Sequence, residues 1–444
     1  MRVAVVGGGI AGLSAAFHLA QGGAEPVVLE GSPQVGGKLR RERLGDLTID
    51  VGAEGMLARR PEATDLTHAV GLGDDIVAPE PIPSLVWSRG QLRALPPTIM
   101  GVPSDLGALA SSGLLQRPLA SHAAPVPDED VSVAQFVADR LGREVVDRLV
   151  EPLLGGVYAG YADRLSLQAA APVIASLGPD LLAGARQRAS EPKPPGPALV
   201  GLRGGIGRLP QAVVDVGGFE VRTGATVRGI RRDGSGWELV VGPTTAATRE
   251  RFDAVVMAAP APAASRLLAE AAPRAAFALA GLDYASMVVV GFLLEGADLP
   301  SGTGFLVPPV ESTQIKAATF SSRKWRWLAE SAGGATVVRT SLGRVGETAT
   351  LQRDDATLVD LALSDLRSIV EPAGTVGSVS ATVVQRWGGG LPQYEVGHRD
   401  LVRTVTDDVA TVPGLEVCGA AYEGVGIAAV VATGRAAAER TLAG

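Results

Sequence analysis

Val3-Ala4-Val5-Val6-Gly7-Gly8-Gly9-Ile10-Ala11-Gly12 is followed shortly by Pro26-Val27-Val28-Leu29-Glu30. Residues 3–6 are a continuous apolar run, the pattern of a parallel strand buried on both faces. Gly7, Gly9 and Gly12 stand in GxGxxG spacing, which predicts a helix over 11–21 and a second strand over 26–29. Gly7 suits the tight turn, Gly9 lets a pyrophosphate approach the backbone, and Gly12 lets helix and strand pack closely. The helix start at Ile10 and Ala11 offers unpaired N–H groups and a partial positive charge to the phosphates. Glu30 ends the second strand, where an acid accepts hydrogen bonds from ribose hydroxyls. The unit predicts a dinucleotide-binding α/β domain.

The other 400-odd residues bound what surrounds it. A chain of 444 residues makes two to four compact units at about 100–200 residues each. The apolar fraction of 46% excludes intrinsic disorder. Forty basic against 47 acidic residues, a net charge of −7, argues against a nucleic-acid partner. The single cysteine, Cys418, excludes an internal disulfide and a multi-cysteine metal site, and no metal is expected. A reducing cytoplasm fits that usage. Glycines 7, 8, 9 and 12 interrupt any signal-peptide reading of the N-terminus, and no 18-residue apolar run predicts a transmembrane helix.

After Glu30 comes Val35-Gly36-Gly37-Lys38, an E-x5-GG-K continuation. It resembles the flavoprotein superfamily of amine oxidases, phytoene desaturases and protoporphyrinogen oxidases. Gly204-Gly205-Ile206-Gly207-Arg208-Leu209-Pro210 resembles its GG-x-GRLP turn. Residues 221–230 read as paired strands around Gly224, and 253–260 as the strand closing the middle section. Leu415 to Gly419 reads as a returning strand, and Gly424-Val425-Gly426-Ile427 opens a helix over 428–442. The resemblance implies non-covalently bound FAD. Its binding residues would be Gly7, Gly9, Ile10, Ala11, Gly12, Glu30, Gly36, Gly37, Lys38, Gly52, Ala53, Val227, Gly419, Val425, Gly426 and Ile427. Val227 stands where the family's backbone meets adenine. Cys418 lies in a buried strand and reads as a core residue.

The implied fold class is α/β, with a discontinuous Rossmann-like FAD-binding domain over 1–80, 196–265 and 385–444. A mainly helical insertion fills 81–195, and a substrate-binding α+β domain fills 266–384. In the first insertion Val133, Phe136, Val137 and Leu141 follow helical spacing behind a Ser132 cap. The pattern predicts a break at Gly142 and a second helix that stops at Pro152. The insertion closes in a stiff linker at Pro192, Pro194, Pro195 and Pro197. A long helix is expected over 351–370.

Several stretches narrow the resemblance to porphyrinogen oxidases. Glu151-Pro152-Leu153-Leu154-Gly155-Gly156-Val157-Tyr158-Ala159-Gly160 is one; Thr319-Phe320-Ser321-Ser322-Arg323-Lys324-Trp325 and Leu391-Pro392-Gln393-Tyr394-Glu395-Val396-Gly397-His398 are others. Among these enzymes the chain is most similar to the coproporphyrinogen-oxidising bacterial branch used in haem synthesis. The implied reaction takes coproporphyrinogen III to coproporphyrin III with O2, releasing H2O2. Protoporphyrinogen IX is the alternative substrate, and the number of cations around the cavity separates the two. More distant alternatives are an amine oxidase or carotenoid desaturase, or a non-catalytic flavin-binding accessory protein.

Hydride loss from a bridge CH₂ flanked by two pyrroles needs positioning rather than a strong base, so no side chain is expected to be catalytic. By the resemblance Arg60 pairs with a propionate, Gly304 and Leu306 form one wall over the macrocycle, and Tyr158 touches substrate. Lys324 and His398 stay outside the catalytic set. The apolar stretch 95–119 is expected to bury against the substrate cavity, with peripheral membrane contact as the alternative. The next haem-pathway enzyme is the implied transient partner.

Overall fold

The computed structural model describes residues 1–192 and 195–444. Pro194 of the proline-rich linker lies outside them. A five-stranded parallel sheet forms the first body, in the order Glu220–Arg222, Glu25–Leu29, Arg2–Val6, Ala254–Met257, Leu415–Val417. Val3 to Val6 are buried on both faces, as a doubly covered parallel strand requires. The Ile10–Gln21 helix covers one face, and the Ile427–Ala443 helix packs on it. That contact depends on Gly434, where an added Cβ would lie 2.2 Å from the Ala11 carbonyl oxygen. Strands from four separated stretches of sequence thus make one sheet.

A seven-stranded sheet forms the second body. Its order is Ser378–Pro392, Tyr284–Glu295, Thr336–Leu342, Ile315–Phe320, Gly304–Leu306, Leu85–Ser88, Gln91–Ala94. The Asp355–Val370 helix seals one face over Phe305, Ala318, Phe320, Val338 and Leu342. Two expected boundaries move as a result. Strand Ser378–Pro392 runs through position 385, pairing with Tyr284–Glu295 along its length, so the dinucleotide body resumes after Pro392. Residues 85–94, assigned by sequence to the helical insertion, add two strands to this sheet.

The third body is helical, with Val133, Phe136, Val137, Leu149 and Leu154 in its core. Ser132 caps the Val133–Leu141 helix by accepting from the Gln135 N–H. Gly142 interrupts it at φ +85°. Pro152 does not stop the next segment: a π-turn over Val146–Val150 runs directly into the Glu151–Tyr158 helix. Proline is tolerated there because the first turn of a helix needs no N–H donor. The 95–119 stretch contributes Val102, Leu109 and Leu114 to this same core. Ion pairs Arg89–Glu144 and Arg148–Glu311 tie this body to the second sheet.

The paired strands expected over 221–230 are not a pair. Glu220–Arg222 joins the edge of the parallel sheet, and Val227–Asp233 starts a separate three-stranded antiparallel sheet with Gly236–Val241 and Thr248–Phe252. Gly224, at φ +65°, makes the turn between them. Among the described residues no helix is long and apolar enough to cross a membrane.

Candidate active site

The glycine-rich turn holds its expected residues together. A Cβ at Gly12 would lie 2.0 Å from the Gly7 carbonyl oxygen, so helix and strand are in backbone contact there. Gly9, by contrast, is the N-cap of the Ile10–Gln21 helix, and a Cβ on it would meet nothing within 4 Å. Gly426 is the N-cap of the Ile427–Ala443 helix with the same open space. Neither cap carries a side-chain hydrogen bond, so each helix start leaves donors for an anion. Gly419 approaches Ala11, its Cβ position 4.0 Å from the alanine methyl. The two ends of the sequence therefore build one cradle.

Other expected cofactor residues surround it. Gly36 donates its N–H to the Gly8 carbonyl at 2.8 Å, and Gly36 bridges to Gly9 in parallel. The Glu30 carboxylate accepts the Gly8 N–H at 2.6 Å and the Ser32 N–H at 2.7 Å. Its remaining lone pairs suit ribose hydroxyls. Lys38 is half-buried, and its partial desolvation lowers its pKa. Its carbonyl takes the Ala53 N–H at 3.3 Å and lies 1.9 Å from a Cβ built on Gly52. Val227 opens the antiparallel sheet beside the turn, opposite Val241.

The DxG turn at Asp50–Gly52 rests on a polar lattice that sequence reasoning missed. Asp50 accepts the N–H groups of Ile206 and Gly207 at 2.8 and 2.9 Å, joining the GG-x-GRLP turn to this one. Burial pushes its carboxyl up to about 6 against those bonds. Arg339 donates to the Gly52 carbonyl at 2.7 Å and pairs with Glu54 at 2.7 Å. Burial pushes the Glu54 carboxyl up, but Arg339, Lys324 and the Ser321 hydroxyl outweigh it and hold it at about 2. Lys324 is therefore an ion-pair partner, 3.4 Å from Glu54.

The second sheet turns one face toward this turn. Register pairs Gly304 with Thr319, Leu306 with Ala317, Thr319 with Arg339 and Ala317 with Ser341, so these residues share the face opposite the Asp355–Val370 helix. Ala317, Thr319 and Ser341 are small and partly accessible. The face meets the dinucleotide body at Arg339–Gly52. It meets the helical body at Leu306, whose methyl lies 3.7 Å from a Cβ built on Gly156. Gly304 is buried at φ +139°, with the Ala318 carbonyl 2.1 Å from its Cβ position, so it holds the two strands close.

Two expected substrate residues occupy different surroundings. Tyr158 is buried, its hydroxyl donating to the Ala170 carbonyl at 3.3 Å and its ring 5.6 Å from that of Tyr394. Its side chain thus belongs to the helical core. Arg60 caps the Pro61–Ala69 helix, its side chain 48% exposed and paired with Glu62 at 3.2 Å.

The PQY-x-VGH motif gains a structural meaning. The Tyr394 hydroxyl donates to the Ala420 carbonyl at 2.8 Å and accepts the Gly424 N–H at 2.7 Å. His398 stacks on Tyr394 at 3.8 Å and faces the Tyr422 carbonyl at 3.4 Å. Both residues fix the loop that precedes Gly426. Cys418 is buried in the core, which raises its pKa to about 12 and leaves it a neutral thiol.

A βαβ unit with a GxGxxG turn, an acid after the second strand and a returning helix N-terminus define a dinucleotide-binding flavoprotein fold. The sequence profile described as flavin containing amine oxidoreductase matches residues 10–442, and the chain belongs to that family. It is an FAD-dependent oxidoreductase, and the open cradle at Gly9 and Gly426 fits that cofactor. The chain is 36% identical to the coproporphyrinogen III oxidase of Mycobacterium leprae, over 97% of this chain and 96% of that one. It is 29% identical to the chloroplastic protoporphyrinogen oxidase 1 of Arabidopsis thaliana, over 92% and 81% respectively. A solved structure from Exiguobacterium sp. 255-15, provisionally assigned as a protoporphyrinogen oxidase, superposes with a TM-score of 0.87 at 29% identity, covering 100% of this chain and 98% of that one.

Proposed function

We propose that this protein oxidises coproporphyrinogen III to coproporphyrin III, with O2 consumed and H2O2 released. The observation that carries the reading is the face of small side chains running from Arg339 and Gly52 to Leu306 and Gly156. The small, partly accessible side chains of Ala317, Thr319 and Ser341 keep that face low, as a broad, puckered macrocycle requires. The likeness to the Mycobacterium leprae enzyme over nearly the whole chain supports the substrate.

Residues 7–12 and 424–427 would hold the pyrophosphate, Glu30 the ribose, the backbone at Val227 the adenine, and Gly52 and Ala53 the ring system. Bound FAD supplies the hydride acceptor and passes electron pairs to O2. The protein's own part is to present a bridge carbon at that ring and to exclude water. Gly304 and Leu306 set the height of the macrocycle, and Arg60 takes a propionate in exchange for Glu62. Tyr158 acts from behind, through Tyr394 and the loop it fixes. A cytoplasmic location and transient transfer of product to the next haem-pathway enzyme accord with this chemistry.

The test is anaerobic mixing of the holoenzyme with each porphyrinogen, followed by flavin bleaching at 450 nm. Faster bleaching with coproporphyrinogen III than with protoporphyrinogen IX is expected. Bleaching by neither would refute the reading.

A further inference from the structure

Two basic side chains, one in the substrate sheet and one in the turn after its Thr336–Leu342 strand, are buried without the carboxylate hydrogen bonds that burial ordinarily demands. Lys316 and Arg344 are each 6% exposed. Among the described residues Lys316 makes no side-chain hydrogen bond or ion pair. Arg344 donates through Nη2 to the Val307 carbonyl at 3.0 Å, and its Nη1 is buried with no partner. The neighbouring acids are engaged elsewhere. Glu347 accepts the Arg344 backbone N–H at 3.1 Å and the Tyr161 hydroxyl at 2.6 Å. Glu151 accepts the Ala162 N–H, and burial pushes its carboxyl up to about 7 although Arg344 opposes the rise. Asp163 is committed to Arg143.

Geometry brings both cations to the edge of the candidate substrate face. The strand Ile315–Phe320 slips register between Ile315 and Ala317, opposite Leu342 and Ser341. Ile315 and Leu342 belong to the sealed core and Ala317 to the other face, so Lys316 is the extra residue where the strand changes over, within reach of the charges of Arg344 and Glu347. The Lys316 carbonyl accepts the Val307 N–H at 2.9 Å while Arg344 holds the Val307 carbonyl. The two residues therefore bracket the position next to Leu306. Across from them, a Cβ built on Gly155 would lie 2.4 Å from Arg344 Nη1, so glycine makes room for the guanidinium.

Resting on the porphyrinogen reading above, we infer that Lys316 and Arg344 form a second carboxylate-binding subsite, one for propionates that a tetracarboxylate macrocycle has and a dicarboxylate one lacks. Burial, with help from Arg344, lowers the Lys316 ammonium to about 7, and an arriving carboxylate restores its proton. A dicarboxylate held at Arg60 leaves both cations unpaired, which is how a site built for a polar group rejects the analogue without it.

The experiment measures binding of coproporphyrin III and protoporphyrin IX to the holoenzyme by porphyrin fluorescence. Lys316→Met, Lys316→Arg and Arg344→Gln are compared with wild type, with thermal melting alongside. In Lys316→Met the Kd for coproporphyrin III is expected to rise at least tenfold while that for protoporphyrin IX moves less than twofold. Arginine at the position restores binding. Lys316→Met is also expected to melt above wild type, because an unpaired buried cation has been removed. Equal loss for both porphyrins together with a lower melting temperature marks a structural cation and overturns the inference, as does unchanged binding in both Lys316→Met and Arg344→Gln. If the wild type oxidises coproporphyrinogen III in such a case, only the subsite falls. If it oxidises neither porphyrinogen, the functional reading falls with it.

Discussion

Replacing Gly9 with valine separates the fold from the cofactor. The residue has φ −70° and ψ 172°, an extended conformation that valine adopts freely, and a Cβ there meets nothing within 4 Å. The apoprotein should therefore lose only about 1 kcal/mol, the cost of an apolar residue at an N-cap. The added methyls fill the approach to the N–H groups of the first helical turn. Losing two charge-assisted hydrogen bonds at about 1.5–3 kcal/mol each weakens FAD binding by about 3–6 kcal/mol, or roughly 10²- to 10⁴-fold. The assay is paired: calorimetric titration of apoprotein with FAD, and melting curves with and without cofactor. Wild type with FAD at 100 times its Kd gains about 2.7 kcal/mol, a gain the variant should lose at the same concentration. Gly12→Ala is the control in the other sense, because its Cβ would strike the Gly7 carbonyl at 2.0 Å and the apoprotein itself should fail. A Gly9→Val protein that binds FAD with wild-type affinity would refute the cradle.

Three further outcomes are expected. Glu62→Gln releases Arg60 from its 3.2 Å ion pair, so KM for the porphyrinogen should fall, by up to about 1 kcal/mol for a half-exposed pair; a raised KM would place Arg60 away from substrate. Tyr394→Phe strands the Gly424 N–H and should cost about 1–3 kcal/mol in denaturant unfolding, with weaker FAD retention. His398 is held neutral by burial, its folded pKa about 4 against 6.5 when free. That depression contributes stability above pH 6.5 that is lost as pH falls toward 4, so wild type should lose about 3 kcal/mol relative to His398→Phe over that range. Parallel stability curves would contradict this.

The βαβ unit was legible because each requirement falls on adjacent residues: apolar run, three glycines, acid. The same holds for the Ser132 cap and the Gly426 helix start. Three other features depended on tertiary context. The stretch 221–230 looks like a hairpin locally, yet parallel pairing with Glu25–Leu29 captures its first half. Pro152 reads as a stop until a π-turn supplies it with a first-turn position. The long strand Ser378–Pro392 hides its membership, since pairing with Tyr284–Glu295, and no signal within its own residues, sets where it ends. At the site, the cofactor glycines announced themselves by spacing. Arg339, Glu54, Lys316 and Arg344 did not, because each is a single charge among apolar or small residues, and what surrounds it comes from distant parts of the chain. A basic residue inside an apolar strand, as Lys316 is in Ile315–Phe320, is the signal the sequence does carry.

The interlocking of Gly434 with the Ala11 carbonyl and of Gly419 with Ala11 has a temporal consequence. The ribosome delivers the first half of the nucleotide cradle hundreds of residues before the second. A nascent chain can thus form its opening turn early but has nothing to close over a nucleotide until residues 419–434 emerge. Cofactor capture belongs to the last seconds of synthesis or later, and a polypeptide that terminates ahead of that segment should emerge unable to retain flavin, however well its earlier strands have paired.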